Sequence, residues 1–143
     1  MRRAACFMLT TILLAGCASP LTPTGSSADP NALSGGVWRL NEASMKGLVA
    51  KVPAGATVTI EFADGKASGI AACSTYSASY QANTAGSIAF HDFHTTPMRC
   101  PNATMTLESA YLAALHFAST ISMGETLTIQ GLMHTLTFRK QDP

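Results

Sequence analysis

From Thr57 to Phe62 the chain alternates apolar Val58, Ile60 and Phe62 with Thr57, Thr59 and Glu61, the period-two pattern of a half-buried strand. Asp64-Gly65 follows and supplies the positive-φ residues of a tight hairpin, so Lys66 to Ala72 is expected to return antiparallel. Upstream, Val37, Trp38, Arg39 and Leu40 read as a first strand. Downstream, Thr75 to Gln81 places Tyr76 and Tyr80 on one face, and Gly86 marks a turn before a strand from Ser87 to Phe93. Between Pro101 and Ser119 the period changes. Met105, Leu107, Tyr111, Leu112, Leu115 and Ala118 recur three and four residues apart among Ala110, Ala113 and Ala114, which predicts a helix with Asn102 or Thr104 as its cap. Thr126 to Ile129, a Gln130-Gly131 turn and Met133 to Arg139 then predict a closing hairpin, with Leu136 and Phe138 facing one way. The sum is an α+β domain of five or more antiparallel strands around one helix inserted before the C-terminal hairpin.

The opening of the chain follows a different pattern. Arg2 and Arg3, an apolar run from Ala4 to Leu14 and the small residues Ala15 and Gly16 before Cys17 form a secretory signal, too short to cross a bilayer of roughly 30 Å as a helix. Leu14-Ala15-Gly16-Cys17 resembles the bacterial lipoprotein box, in which the cysteine thiol is acylated before cleavage. Residues 1–16 are therefore read as signal peptide and Cys17 as the lipidation site; the competing reading is an ordinary signal cut near Ala18 or Ser19. Residues 17–35 are dominated by Ala, Ser, Pro, Thr and Gly, with Leu21 and Leu33 as the only large apolar residues, and read as a lipidated cysteine followed by a flexible tether. The folded domain is expected over residues 36–143. Inner-membrane lipoproteins often carry Asp after the acylated cysteine. Ala18 and Ser19 stand here, so by that likeness the protein is placed on the outer membrane, facing the periplasm.

Charge excludes one class of partner. The chain has 9 Lys and Arg against 8 Asp and Glu; without Arg2 and Arg3 the balance is 7 against 8, or −1, and the cations are scattered. No basic stripe exists to neutralise phosphates, so no nucleic-acid partner is expected. Of four cysteines, Cys6 leaves with the signal and Cys17 takes the lipid, so Cys73 and Cys100 remain as a pair in an oxidising compartment. A disulfide is the expectation, with metal or redox chemistry at the two thiols as the competing reading.

Several landmarks in order resemble the META domain, also called HslJ-like, of bacterial envelope lipoproteins. They are Trp38 and Leu40; Phe62, Asp64, Gly65 and Gly69; Cys73, Tyr76 and Tyr80; Thr95 through Pro101 with Cys100; and Glu108, Tyr111, Leu112 and Leu115. The chain departs from the family at Ala72-Cys73-Ser74, where Gly-Cys-Asn is usual, and at Arg99, where a small residue is usual. The resemblance implies a curved antiparallel sheet, partly open and barrel-like, packed with one helix. It also implies no catalytic activity and an association with envelope stress or antibiotic tolerance.

Candidate chemistry is sparse. His91-Asp92-Phe93-His94, with Cys100 or His116, is the densest polar constellation, but residues three apart on a strand point to opposite faces, so no metal site is expected there. There is no G-x-S-x-G elbow and no H-E-x-x-H. Glu108 reads as a charge near the helix N-terminus or a partner for Arg99 rather than a catalytic acid. Dispersed methionines, Met98, Met105, Met123 and Met133, read as gap fillers. Trp38, Tyr76, Tyr80 and Tyr111 are the candidates to line an apolar ligand pocket. The expectation is a non-enzymatic envelope lipoprotein without cofactor, held by its lipid and contacting an envelope protein or small ligand; the alternative is a carrier of a small apolar ligand in a cavity of the curved sheet.

Overall fold

A computed structural model describes residues 30–142. The elements in order are α1 (Pro30–Leu33), β1 (Val37–Met45), β2 (Leu48–Lys51), β3 (Thr57–Ala63), β4 (Lys66–Ala72), β5 (Ser74–Ala82), β6 (Ile88–Thr95), α2 (Asn102–His116), β7 (Ala118–Met123), β8 (Thr126–Gly131) and β9 (His134–Lys140). All strands join one antiparallel sheet in the order β6-β5-β4-β3-β1-β9-β8-β7, with β2 paired to β1. The two ends of this ribbon meet at a Ser87–Thr120 bridge and at the Ile121 N–H, which donates to the Gly86 carbonyl at 2.8 Å. The sheet is thus a nearly closed barrel with α2 packed on its inner face, the expected α+β architecture.

The inner face follows from alternation. Val58, Ile60 and Phe62 on β3, Ala67 and Ala71 on β4, Tyr76 and Ala78 on β5, and Leu136 and Phe138 on β9 are all buried. The inward positions of β4 are small, Ala67, Gly69 and Ala71, so α2 settles most closely against this strand. From α2 come Glu108, Tyr111, Ala114 and Leu115, one face of a helix. The helix has no side-chain cap; its first turn is closed by the Pro101 carbonyl, which accepts from Thr104 and Met105, so neither Asn102 nor Thr104 has the expected role.

Four boundaries differ from expectation, each for a local reason. Leu33, read as tether, is a core residue, with Ser34 bridged to Phe62, so the domain begins before residue 36. β1 continues to Met45 because a register shift between Leu40 and Glu42 moves its inward positions from Trp38 and Leu40 to Ala43 and, at the exposed end of the strand, Met45; alternation breaks at Asn41 although the strand does not. β7 replaces the end of the expected helix and stands between α2 and the final hairpin; its own register shift hides the alternation around the buried Ile121. Gly131 lies inside β8, and the turn is Leu132-Met133. β2 carries too few residues for a pattern to be read.

Candidate functional site

Two regions of this framework collect the unusual residues. Beneath α2 lies a buried polar centre. The Tyr76 and Tyr111 hydroxyls share a hydrogen bond of 2.7 Å, both lie within donating distance of the Thr59 carbonyl, at 3.1 and 3.4 Å, and the rings meet edge-on at 5.6 Å. Burial pushes both phenols well above their usual range, and Tyr76 beside Tyr111 adds to the rise there. The Thr59 side chain accepts from the Ile70 N–H at 3.0 Å, and a Cβ at Gly69 would fall 2.1 Å from the Thr59 carbonyl oxygen, so this crossing of β3 and β4 admits only glycine.

Next to it, Glu108 is 7% exposed and aims its carboxylate at the β4–β5 turn. It accepts from the Cys73 N–H at 3.2 Å, the Ser74 N–H at 2.6 Å and the Ser74 hydroxyl at 3.0 Å. Its partner is therefore a turn rather than Arg99. Ala71 pairs with Ser74, leaving Ala72-Cys73 as a two-residue connection with Ala72 at φ 74°. Primed hairpin turns favour glycine at such a position, where this chain has alanine. Cys73 is bonded to Cys100 across 27 residues, tying this turn to the loop before α2.

Of the four aromatic candidates, Trp38, Tyr76 and Tyr111 are buried. Tyr80 is half-buried and packs edge-on against Phe62 at 5.0 Å; burial, and then Asp64, raises its hydroxyl above the usual phenol range. These residues fill the barrel. Tyr111 also borders a cleft. That cleft, of about 110 Å³, lies between α2 and the β1–β9 side and is lined mainly by Leu40, Ala43, Leu48, Leu107 and Leu136. One ring nitrogen on its wall, His134 Nδ1, is buried without a hydrogen-bond partner.

The two strand tips beside the cleft were not anticipated. Met45, Leu48 and Val49 of the β1–β2 hairpin, and Leu132 and Met133 of the β8–β9 turn, are exposed, Leu48 at 79% and Leu132 at 91%. Met45 pairs with His134, and the Lys46 N–H donates to the Met133 carbonyl at 2.8 Å, so the two tips form one apolar end. Met133 is thus no gap filler. The available signal was large apolar residues beside a Lys46-Gly47 turn and in Leu132-Met133, where turns ordinarily carry polar residues.

The histidine constellation also differs from expectation. His91 pairs with Ser79 and His94 with Ser77, so a bulge with Asp92 at φ 53° turns both histidines to the same outer face. His91 and Asp92 approach to 3.8 Å. Among the described residues no three His, Cys, Asp or Glu side chains are grouped to hold a metal ion. Cys17 lies outside the described residues.

A nearly closed antiparallel barrel, one inner helix and a disulfide tying the helix loop to a hairpin define a small α+β scaffold of non-repeating strands. The chain belongs to the META domain family, whose model matches residues 31–143. It is similar to a protein from Burkholderia xenovorans solved by NMR (TM-score 0.68, 23% identity, covering 92% of this chain and 100% of that one). A second NMR structure gives a TM-score of 0.62 at 20% identity, covering 78% and 94%. A DUF4847 family protein from Bacteroides vulgatus gives 0.58 at 17%, covering 78% and 98%. At these identities the likeness is one of fold. No curated protein matches the chain.

Proposed function

We propose that this META domain is a non-enzymatic, lipid-anchored domain of the bacterial envelope, attached through Cys17 to the outer membrane and facing the periplasm. Its role is contact or maintenance during envelope stress. The observation that carries the interaction role is the exposed apolar end formed by Met45, Leu48, Val49, Leu132 and Met133, since contiguous apolar surface on a soluble domain marks a contact site. The polar groups that would suit catalysis are otherwise engaged: Glu108 holds backbone N–H groups, and Tyr76 and Tyr111 hold each other and a carbonyl. The lipoprotein box supports the anchor.

At the cleft beside Tyr111, the carrier alternative is limited to very small ligands. The cleft beside Tyr111 has about 110 Å³, against the roughly 150 Å³ of a cavity that accepts benzene. An acyl chain has no place in it.

The test is metabolic labelling with an alkyne fatty acid followed by membrane separation. Label on the wild-type protein in the outer-membrane fraction, and none on Cys17→Ser, is expected. Unlabelled wild-type protein free in the cytosol overturns the reading. Crosslinking in intact cells under envelope stress, from probes at Leu48 or Leu132, then separates a contact surface from an idle one: an adduct, to protein or to lipid, is expected at these positions and none from a probe at Glu61 on the outer face of β3.

A further inference from the structure

The apolar end carries enough chemistry to name its occupant. We propose that the β1–β2 and β8–β9 tips rest on an anionic lipid bilayer. Met45, Leu48, Val49, Leu132 and Met133 enter the headgroup layer, and Lys46 meets lipid phosphate. This rests on the contact-surface reading above and deepens it.

The tips are built to present these side chains. The Lys46-Gly47 turn has φ 50° and 81° with Met45 paired to Leu48, so the hairpin ends in a tight primed turn with its apolar residues flanking the apex. The Lys46–Met133 hydrogen bond holds the second tip beside the first.

Their composition favours lipid over protein. Contact centres between proteins are enriched in Trp, Tyr and Arg, and Leu and Val are under-represented there. Residues 43–51 and 131–136 contain no Arg and no carboxylate, so nothing there repels an anionic surface; their cations are Lys46 at the apex and Lys51, which faces Glu42 at the base. Aliphatic side chains beside lysine are the pattern of interfacial membrane contact, where burial and attraction to anionic headgroups act together.

Chain length permits the arrangement. The described chain starts at the other end of β1, whose 9 residues span about 30 Å at roughly 3.3 Å each. From residue 17 to residue 30 there are thirteen steps (30 − 17), which reach at most about 45 Å. An acylated Cys17 and the hairpin tips can therefore engage one bilayer together.

The test uses a chain beginning at residue 17 with Cys17→Ser, which retains every buried residue among those described and carries no lipid. It is sedimented with vesicles of phosphatidylglycerol and phosphatidylethanolamine, and with phosphatidylcholine vesicles. Binding to the anionic vesicles is expected, falling about fivefold for Lys46→Ala and at least about tenfold for Leu48→Asp/Leu132→Asp. An environment-sensitive dye on Leu132→Cys should shift to the blue on the same vesicles. No sedimentation with anionic vesicles, equal binding by the double aspartate variant, or an unshifted dye overturns the proposal. So does self-association that the double variant abolishes without vesicle binding, which would assign the tips to a second copy. Fatty-acid labelling at Cys17 is a separate readout, so loss of the anchor reading and loss of this surface are told apart.

Discussion

The two sides of α2 handle their groups in opposite ways. Beneath the helix, the two tyrosine hydroxyls, the Glu108 carboxylate and the free N–H groups of the β4–β5 turn satisfy one another out of reach of water. Beside it, at the two strand tips by the cleft, aliphatic side chains stand in water and the His134 Nδ1 has no partner. An unmade hydrogen bond in the interior costs about 1–3 kcal/mol, so the first region stabilises the fold. The second adds little to stability and keeps apolar area for another molecule. Stability and contact are thus assigned to different strands: β3, β4 and β5 to the one, and the β1–β2 and β8–β9 tips to the other.

That division is broken most severely by Tyr111→Ala, which removes a ring packed on Tyr76 and Phe138 and should lower stability by about 3–5 kcal/mol in denaturant titration. A loss below about 1 kcal/mol would mean that the centre is not the keystone described. Cys73→Ser follows, with roughly 3–4 kcal/mol lost for a bridge closing 27 residues. The loss should appear in oxidising buffer and be small in reductant; equal melting shifts in both would argue against the bridge.

Alkali should act on the same side. Burial raises Tyr76 and Tyr111 above the unfolded value of about 10. Their contribution is therefore complete below about pH 10, and above it declines by about 1.4 kcal/mol per pH unit for each group, because the unfolded chain releases protons that the folded one retains. Melting temperatures between about pH 9 and pH 11 should show this fall, with a shallower slope for Tyr76→Phe. Ala72→Gly should stabilise by about 0.5–1 kcal/mol, since a left-handed backbone costs an L-residue roughly 1–2 kcal/mol and glycine's unfolded-state freedom offsets part of the gain. An unchanged or lower melting temperature would show that the turn does not strain alanine. Smallest of all is Leu132→Asp, expected to stay within about 0.5 kcal/mol of wild type. A larger loss would mean that the tip is structural after all.

The sequence was legible where one face of a strand is buried along its whole length. β3 and β4 with their Asp64-Gly65 turn, Tyr76 and Tyr80 on one face of β5, and Leu136 and Phe138 of β9 all follow from period two. It was illegible wherever a bulge changes the phase. Asn41 conceals the second half of β1, and Asp92 reverses the facing of His94 relative to His91. Leu33 is one residue in a segment of tether-like composition, and no local count separates a buried leucine from an idle one. The Cys73–Cys100 pair was readable from cysteine arithmetic, whereas the role of Glu108 was not, because its partners lie 34 and 35 residues away. The apolar end escaped for a similar reason: its halves lie nearly ninety residues apart in the chain (132 − 45), and only the adjacency of β1 and β9 joins them.

That adjacency has a mechanical side. The first long strand sits in the middle of the ribbon, with β3 on one flank and β9 on the other, while the single-bridge seam lies at the far edges. Tension entering at the amino end would load two ladders lengthwise, so that many bonds must yield together instead of unzipping singly from a margin. A barrel fastened by one stitch is in this way protected from its weakest line by the position of the strand that receives the pull.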